Sequence, residues 1–113
     1  PAWPYHFSYV TTAQRGQLPN AAHAAEIPYV FGNGAALARA TSEEDRAMER
    51  LVHGCWVGFA RTARPECPGG VAWPAYRPGE DRLLEFGQET GVRAGFRKAF
   101  LDAAERASAY APR

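Results

Sequence analysis

The sequence has no long hydrophobic run, and this absence excludes one large class of proteins. No stretch of the 113 residues approaches the roughly 18 consecutive apolar residues that a transmembrane helix needs. The first residues show neither the basic segment nor the apolar segment of a secretory signal peptide, which favours a cytoplasmic location. We therefore expect no membrane partner.

An excess of charge of one sign is also missing. The formal net charge is +1 and no basic run stands out, which argues against a dedicated nucleic-acid surface. With 46% hydrophobic and 22% charged residues the composition is that of a globular protein. Lys98 is the single lysine beside many arginines and alanines, a bias that favours a bacterial source with a GC-rich genome.

Cysteine and histidine are scarce and scattered. Cys55 falls on the apolar face of a predicted helix and Cys67 in a loop rich in proline and glycine, with eleven residues between them. This spacing is typical of neither a metal site nor a redox pair, so we expect two free thiols, one of them buried. His6, His23 and His53 have no cysteine or carboxylate partners at ligand spacing, which predicts neither a zinc site nor a cofactor.

Strand patterns occur near both ends of the chain. Aromatic side chains alternate with other residues over residues 3–10, which predicts a β-strand with one aromatic face. That face holds Trp3, Tyr5, Phe7 and Tyr9. A second, short strand is predicted at residues 83–86.

Two amphipathic helices are predicted, over about residues 42–62 and 92–109. Thr41 and Glu44 form the predicted capping box of the first helix, whose acidic first turn suits the helix dipole. Its apolar residues recur at steps of three and four and predict a single buried face. That face comprises Met48, Leu51, Val52, Cys55, Trp56 and Phe59. Residues 24–31 are predicted to form a short helix or a turn, with Pro28 in its first turn.

These elements do not make a closed domain by themselves. A sheet of two strands is marginal on its own. The strand at residues 3–10 is apolar on one face and partly so on the other, as in strands from inside a larger sheet. We therefore expect residues 1–113 to form a single partial domain.

Four blocks carry the most specific signal in the sequence. They are the aromatic strand, the histidine block at residues 21–32, the helix end at residues 55–62 and the sequence Trp-Pro-Ala-Tyr at residues 73–76. In this order and spacing, over about residues 1–105, the blocks resemble the C-terminal quarter of the type-B carboxylesterases, the cholinesterase-like branch of the α/β-hydrolases. The resemblance implies an α/β fold class, namely the C-terminal piece of an α/β-hydrolase fold. That piece would contain a late sheet strand, a histidine loop, two amphipathic helices and one short strand.

The chain departs from the family pattern at two turns. The family usually has glycine after the histidine, where this chain has Ala24. After the first long helix the family tends to carry a G-x-P-N turn, whereas residues 63–66 read Ala-Arg-Pro-Glu. The local geometry of this second turn is therefore expected to differ.

The resemblance implies that His23 is a catalytic residue. In the family, the histidine of the matching block is the general base of a Ser–His–acid triad, a role that suits an imidazole because its pKa lies near neutrality. Glu26 is expected to support this loop, by capping the short helix or orienting a neighbour, because the family's triad acid comes from an earlier loop. His6 and His53 are expected to be satisfied or exposed histidines.

The nucleophile of such a triad is missing from the sequence. Ser8, Ser42 and Ser108 are the three serines, and none lies in a G-x-S-x-G elbow. We therefore expect a serine carboxylic-ester hydrolase whose serine and acid lie outside this chain, and an isolated chain that is inactive. Its partners would be the N-terminal remainder of the esterase or a second copy of the chain, and an ester substrate. The alternative is a self-standing, non-catalytic module that oligomerises by covering its strand edge.

Overall fold

The sheet is built from segments near the two ends of the chain. The computed structural model describes residues 1–34 and 42–109. In it, β1 (Tyr5–Phe7) pairs in parallel with β2 (Arg82–Phe86), which pairs antiparallel with β3 (Gly91–Ala94). The helices are α1 (Ile27–Val30), α2 (Glu43–Thr62) and α3 (Lys98–Ala109), with one 3₁₀ turn at Pro68–Gly70. Within the described ranges, no helix combines the length and the apolar character that crossing a bilayer requires.

The first strand is shorter than its aromatic pattern predicted. Pro4 has no backbone N–H to extend the ladder at one end. At the other end, the amides of Ser8 and Tyr9 both donate to the Phe86 carbonyl oxygen, at 2.9 and 3.1 Å, which breaks the regular register. The predicted alternation holds nonetheless, since Tyr5 packs edge-on against Phe86 while His6 faces away and stacks on Phe96.

The core lies between the sheet and one face of α2. Val52, Cys55, Leu84 and Phe86 are completely buried there. The predicted apolar face of α2 is confirmed for most of its length, but Phe59 is 41% exposed.

The N-terminus of α2 is capped one residue later than predicted. The side chain of Ser42 accepts from the Asp45 amide at 3.0 Å, and the Asp45 carboxylate accepts from the Ser42 amide at 3.1 Å. Thr41 lies outside the described residues, and Glu44 instead forms an ion pair with Arg15. The predicted pairing of Thr41 with Glu44 is therefore wrong. Glu44 and Asp45 are adjacent acidic residues, and the helix begins so that Asp45 occupies its third position.

The helix α2 ends at a left-handed residue that is an alanine and not a glycine. Ala63 adopts the left-handed conformation, with φ of 56°, and its N–H donates to the Phe59 carbonyl oxygen at 2.8 Å. Glycine is the usual residue at this position because it has no Cβ to clash there.

The second long helix is shorter than predicted, and its first part is a strand. Residues 91–94 pair with β2, and the chain then bends through Gly95 and Arg97, both with positive φ, before α3 begins at Lys98. No residue of α3 is buried, and Phe100 and Leu101 are 60% and 55% exposed. The sequence pattern of residues 92–94 is compatible with a helix, but these residues form a strand because they pair with β2 in the folded chain.

The expectation of two free thiols is wrong, because Cys55 and Cys67 form a disulfide and no free cysteine remains. The loop after α2 folds back along the helix, which brings together two residues that are 12 positions apart. In the chain-entropy model, a crosslink over such a loop stabilises the folded state by about 3 kcal/mol.

Candidate active site

His23 lies in a tight turn on the loop between β1 and α1. Its side chain is exposed, and no residue of the described ranges makes a hydrogen bond with its ring. The turn continues directly into α1, with the Ala25 amide donating to the Ala22 carbonyl oxygen at 3.1 Å and the Ile27 amide to that of Ala24 at 3.3 Å. The backbone of this loop is therefore fixed while the imidazole faces outward.

The residue after His23 explains the family's preference for glycine there. Ala24 has φ of 63°, in the left-handed region that residues with a Cβ adopt at a cost of about 1–2 kcal/mol. The alanine therefore keeps the turn at an energetic cost that a glycine would avoid.

His23 is one of the residues that line an open cavity of about 320 Å³. The walls come from the aromatic strand, from the histidine turn and from the start of α1. They consist of Tyr5, His6, Phe7, Ala21, Ala22, His23, Ala24 and Glu26. The cavity opens to the surface of the described part of the chain.

Glu26 interacts with the strand rather than with the helix that follows it. It occupies the N-cap position of α1 but makes no side-chain capping hydrogen bond, so the capping role considered for it is wrong. Burial raises the pKa of the Tyr5 hydroxyl, and the charge of Glu26 and its hydrogen bond with that hydroxyl raise it further. The other expected role, that of orienting a neighbour, stays a prediction.

The other two histidines contact neighbours of their own, although His6 shares the wall of the cavity with His23. His6 stacks on Phe96 with ring centroids 4.7 Å apart. His53 is exposed on α2, and its Nδ1 lies 2.8 Å from the carbonyl oxygen of Val30 at the end of α1. His53 therefore holds α1, and with it the end of the histidine loop, against α2.

A buried carboxylate anchors the segment that leads from β1 toward His23. Asp45 is completely buried and accepts hydrogen bonds from the Tyr9 hydroxyl at 2.6 Å and from the amide and hydroxyl of Thr12, both at 3.0 Å. Burial raises the pKa of Asp45, but the hydrogen bonds from Tyr9, Thr12 and Ser42 outweigh it and hold that pKa well below its usual range.

None of the chain's three serines is placed as a nucleophile beside His23. Ser8 donates to Oε1 of Glu85 at 2.7 Å, Ser42 caps α2, and Ser108 donates to a backbone carbonyl within α3. Across residues 1–34 and 42–109, no three His, Cys, Asp or Glu side chains are grouped so that they could hold a metal ion. A reaction at His23 would therefore need groups from outside the described residues.

The sequence itself matches a known family, over nearly its whole length. Residues 1–104 match the carboxylesterase family, and the chain belongs to that family. It is 38% identical over 88 residues to the medium-chain fatty acyl-CoA hydrolase precursor of Anas platyrhynchos, a match that covers 75% of this chain and 15% of that protein. It is 32% identical over 80 residues to the para-nitrobenzyl esterase of Bacillus subtilis, covering 67% of this chain and 16% of that protein.

Solved structures give the same assignment for the fold. A PNB esterase superimposes with a TM-score of 0.74 at 26% identity, over 90% of this chain and 21% of the esterase. The carboxylesterase of Geobacillus stearothermophilus gives a TM-score of 0.70 at 28% identity, over 89% of this chain and 21% of that protein. The small mixed sheet and its helices are thus a C-terminal piece of an α/β-hydrolase fold, and the chain spans about a fifth of the length of these structures.

Proposed function

We propose that this chain supplies the general base of a serine carboxylic-ester hydrolase, and that His23 is that base. The observation that carries the proposal is the exposed imidazole on a fixed turn beside a cavity, in a chain of the carboxylesterase family. The serine and the acid of the triad come from outside the chain.

In the proposed reaction, the His23 imidazole takes the proton of the serine hydroxyl as the serine oxygen attacks the ester carbonyl. It then returns the proton to the leaving alkoxide, which leaves an acyl-enzyme. Water, activated by the same imidazole, releases the acid and restores the serine. The imidazole suits both directions of proton transfer because its ordinary pKa lies near neutrality.

Glu26 has a supporting role in this proposal. Its carboxylate interacts with the Tyr5 hydroxyl, and this interaction joins the histidine turn to β1. Glu26 therefore helps to fix the turn, and the negative charge that orients the imidazole comes from another residue.

The test is a chimeric esterase in which residues 1–104 replace the matching segment of the Bacillus subtilis para-nitrobenzyl esterase. Hydrolysis of p-nitrophenyl acetate is measured for the chimera and for its His23→Ala variant. We expect the substitution to lower kcat by about 10⁴ or more, with an unchanged melting temperature, because only binding and oxyanion stabilisation would remain. The isolated 113-residue chain should not hydrolyse the ester faster than free imidazole does.

Two control variants separate the base from the neighbouring groups. His53→Gln removes the imidazole that holds α1 against α2, so it should lower the melting temperature while keeping kcat within about tenfold of the parent chimera. Glu26→Gln should act mainly on stability, by about 0.5–2 kcal/mol. The proposal for His23 fails if His23→Ala keeps kcat within about tenfold of the parent. The assignment of Glu26 fails if its variant loses as much kcat with no change in melting temperature.

A further inference from the structure

The disulfide between Cys55 and Cys67 lies where the loop after α2 returns along the helix. Cys55 is completely buried on the core face of α2, and Cys67 is half-buried at the start of the 3₁₀ turn. The crosslink thus joins the core to a surface loop, residues 63–76, which we call the return loop.

The return loop lies in very close contact with α2 on both sides of the disulfide. A Cβ built on Gly54 would lie 2.3 Å from Cγ of Pro68, and one built on Gly58 would lie 2.4 Å from the Glu66 carbonyl oxygen. Gly54 and Gly58 are about one helical turn apart, with Cys55 between them. The absence of side chains at these two positions leaves room for the return loop on this face of α2.

The return loop carries Trp73, which covers the start of β1. The indole Nε1 of Trp73 donates to the Pro4 carbonyl oxygen at 3.1 Å, and its ring packs against Trp56 with centroids 4.9 Å apart. The Tyr76 amide donates to the Ala2 carbonyl oxygen at 2.7 Å. The docked loop therefore holds the N-terminal end of β1 in place.

We propose that the disulfide is a redox-dependent brace, which forms only in an oxidising compartment and keeps the return loop docked on β1 and α2. Disulfides persist in oxidising compartments and are reduced in the cytosol. The proposal therefore places the folded chain in an oxidising compartment. It concerns the folding of the chain and does not depend on the role of His23.

The chemistry of the brace needs an external oxidant of the protein-disulfide class. The Cys67 thiolate attacks the disulfide of a dithiol oxidase and forms a mixed disulfide, which releases one thiolate of the oxidase. The Cys55 thiolate then attacks the Cys67 sulfur, so that the Cys55–Cys67 bond forms and the oxidase leaves as a dithiol with both electrons. Cys67 reacts first because it is only half-buried, whereas Cys55 is completely buried.

The first experiment follows the state of the two thiols in the full 113-residue chain. The chain is expressed in a reducing bacterial cytoplasm and in an oxidising periplasm, denatured in acid, alkylated with N-ethylmaleimide and weighed by mass spectrometry. We expect two adducts on the cytoplasmic protein, and on the periplasmic protein no adducts before reduction and two after it. Tryptic digestion should then yield a crosslinked pair, one peptide spanning residues 51–61 and the other containing Cys67.

The second experiment measures what the bond holds in place. On reduction, the melting temperature should fall by about 10 °C, as expected for opening a short loop in a chain of this size. The hydrogen-exchange protection of the Trp73 indole N–H, measured by NMR, should fall by about tenfold or more, because this group donates to Pro4 across the braced contact. A chain carrying both Cys55→Ser and Cys67→Ser should resemble the reduced protein and show no response to reductant.

Two results would overturn the proposal. One is the recovery of free thiols from the oxidising compartment, or of an equally complete disulfide from the reducing one. The other is an oxidised protein whose melting temperature and Trp73 protection are unchanged by reduction. The thiol measurement is made on denatured protein, so it remains decisive even if the reduced chain does not fold.

Discussion

The Tyr9 hydroxyl donates to Oδ1 of Asp45 across 2.6 Å, and both side chains are buried. The contact joins the segment after β1 to the first turn of α2. Because Asp45 also closes the capping box with Ser42, one carboxylate both starts the helix and anchors the segment that leads toward His23.

Replacing Tyr9 by phenylalanine should destabilise the fold by about 1–3 kcal/mol, since a buried carboxylate would lose one of its donors. Urea denaturation followed by circular dichroism measures this change. The matched control is Tyr76→Phe, because Tyr76 is 47% exposed and its loss of a hydroxyl should have little effect. Equal midpoints for the two variants would mean that the hydrogen bond adds nothing.

The stability of the protein should fall in acid because of Asp45. Its pKa is lower in the folded than in the unfolded chain, so its contribution is present above the unfolded value near pH 4 and is lost as the pH falls through and below that value. Melting temperatures measured from pH 7 to pH 3 should show this loss. In Asp45→Asn the protein should be less stable at pH 7 and the slope in acid should be smaller. An unchanged slope would assign the acid sensitivity to other carboxylates.

The substitution Ala24→Gly should stabilise the fold by about 0.5–1 kcal/mol, because the left-handed backbone costs alanine more than the unfolded-state freedom of glycine costs. The neighbouring Ala25→Gly is the matched control, since Ala25 has no positive φ and should lose stability on the same substitution. Thermal denaturation of both variants checks the opposite signs. If Ala24→Gly is also destabilising, the turn does not hold the strain assigned to it.

The substitution Gly58→Ala should destabilise the fold by about 1–3 kcal/mol despite the higher helix propensity of alanine. The added Cβ would lie 2.4 Å from the Glu66 carbonyl oxygen, so the return loop would have to move. Gly79→Ala is the control, because no atom lies within 4 Å of a Cβ at that position. A more stable Gly58→Ala variant would show that the return loop does not pack closely on the helix.

The isolated chain should associate in solution. Within the described residues β1 pairs on one edge only, and α3 exposes Phe100 and Leu101. Both features favour contact with another chain. Sedimentation equilibrium over a range of concentrations should show this association, and glutamate at both α3 positions should weaken it if the helix contributes. A monomer that unfolds cooperatively at every concentration would contradict the prediction.

Sequence patterns predicted the elements that depend on local chemistry. The face of α2 from Met48 to Trp56 could be predicted because helical spacing decides which side chains face the core. The strand at residues 91–94 and the disulfide could not, because each depends on a partner that only the folded chain brings near. Cys67 was assigned to its loop correctly, yet its pairing needed the path of that loop back along α2.

The sequence predicted where the histidine loop lies but not which side chains surround it, and the role of His23 stays a prediction. The block around His23 marks the loop, and the structure supplies a turn and a cavity there. Asp45 was missed as an anchor, although the order Ser-x-x-Asp at residues 42–45 was a usable signal. The contact between Glu26 and Tyr5 crosses from the turn to the strand, and spacing along the chain cannot reveal it.

The parallel pairing of β1 with β2 has a consequence for how the protein is made. Tyr5 lies opposite Leu84, so β1 stays unpaired until β2 and all the residues between the two strands have left the ribosome. Long-range pairings of this kind fold slowly because the entropy of closing the chain is lost before any contact forms. During that interval the aromatic strand lacks its partner, and a chaperone that shields extended aromatic segments would protect the nascent chain from aggregation.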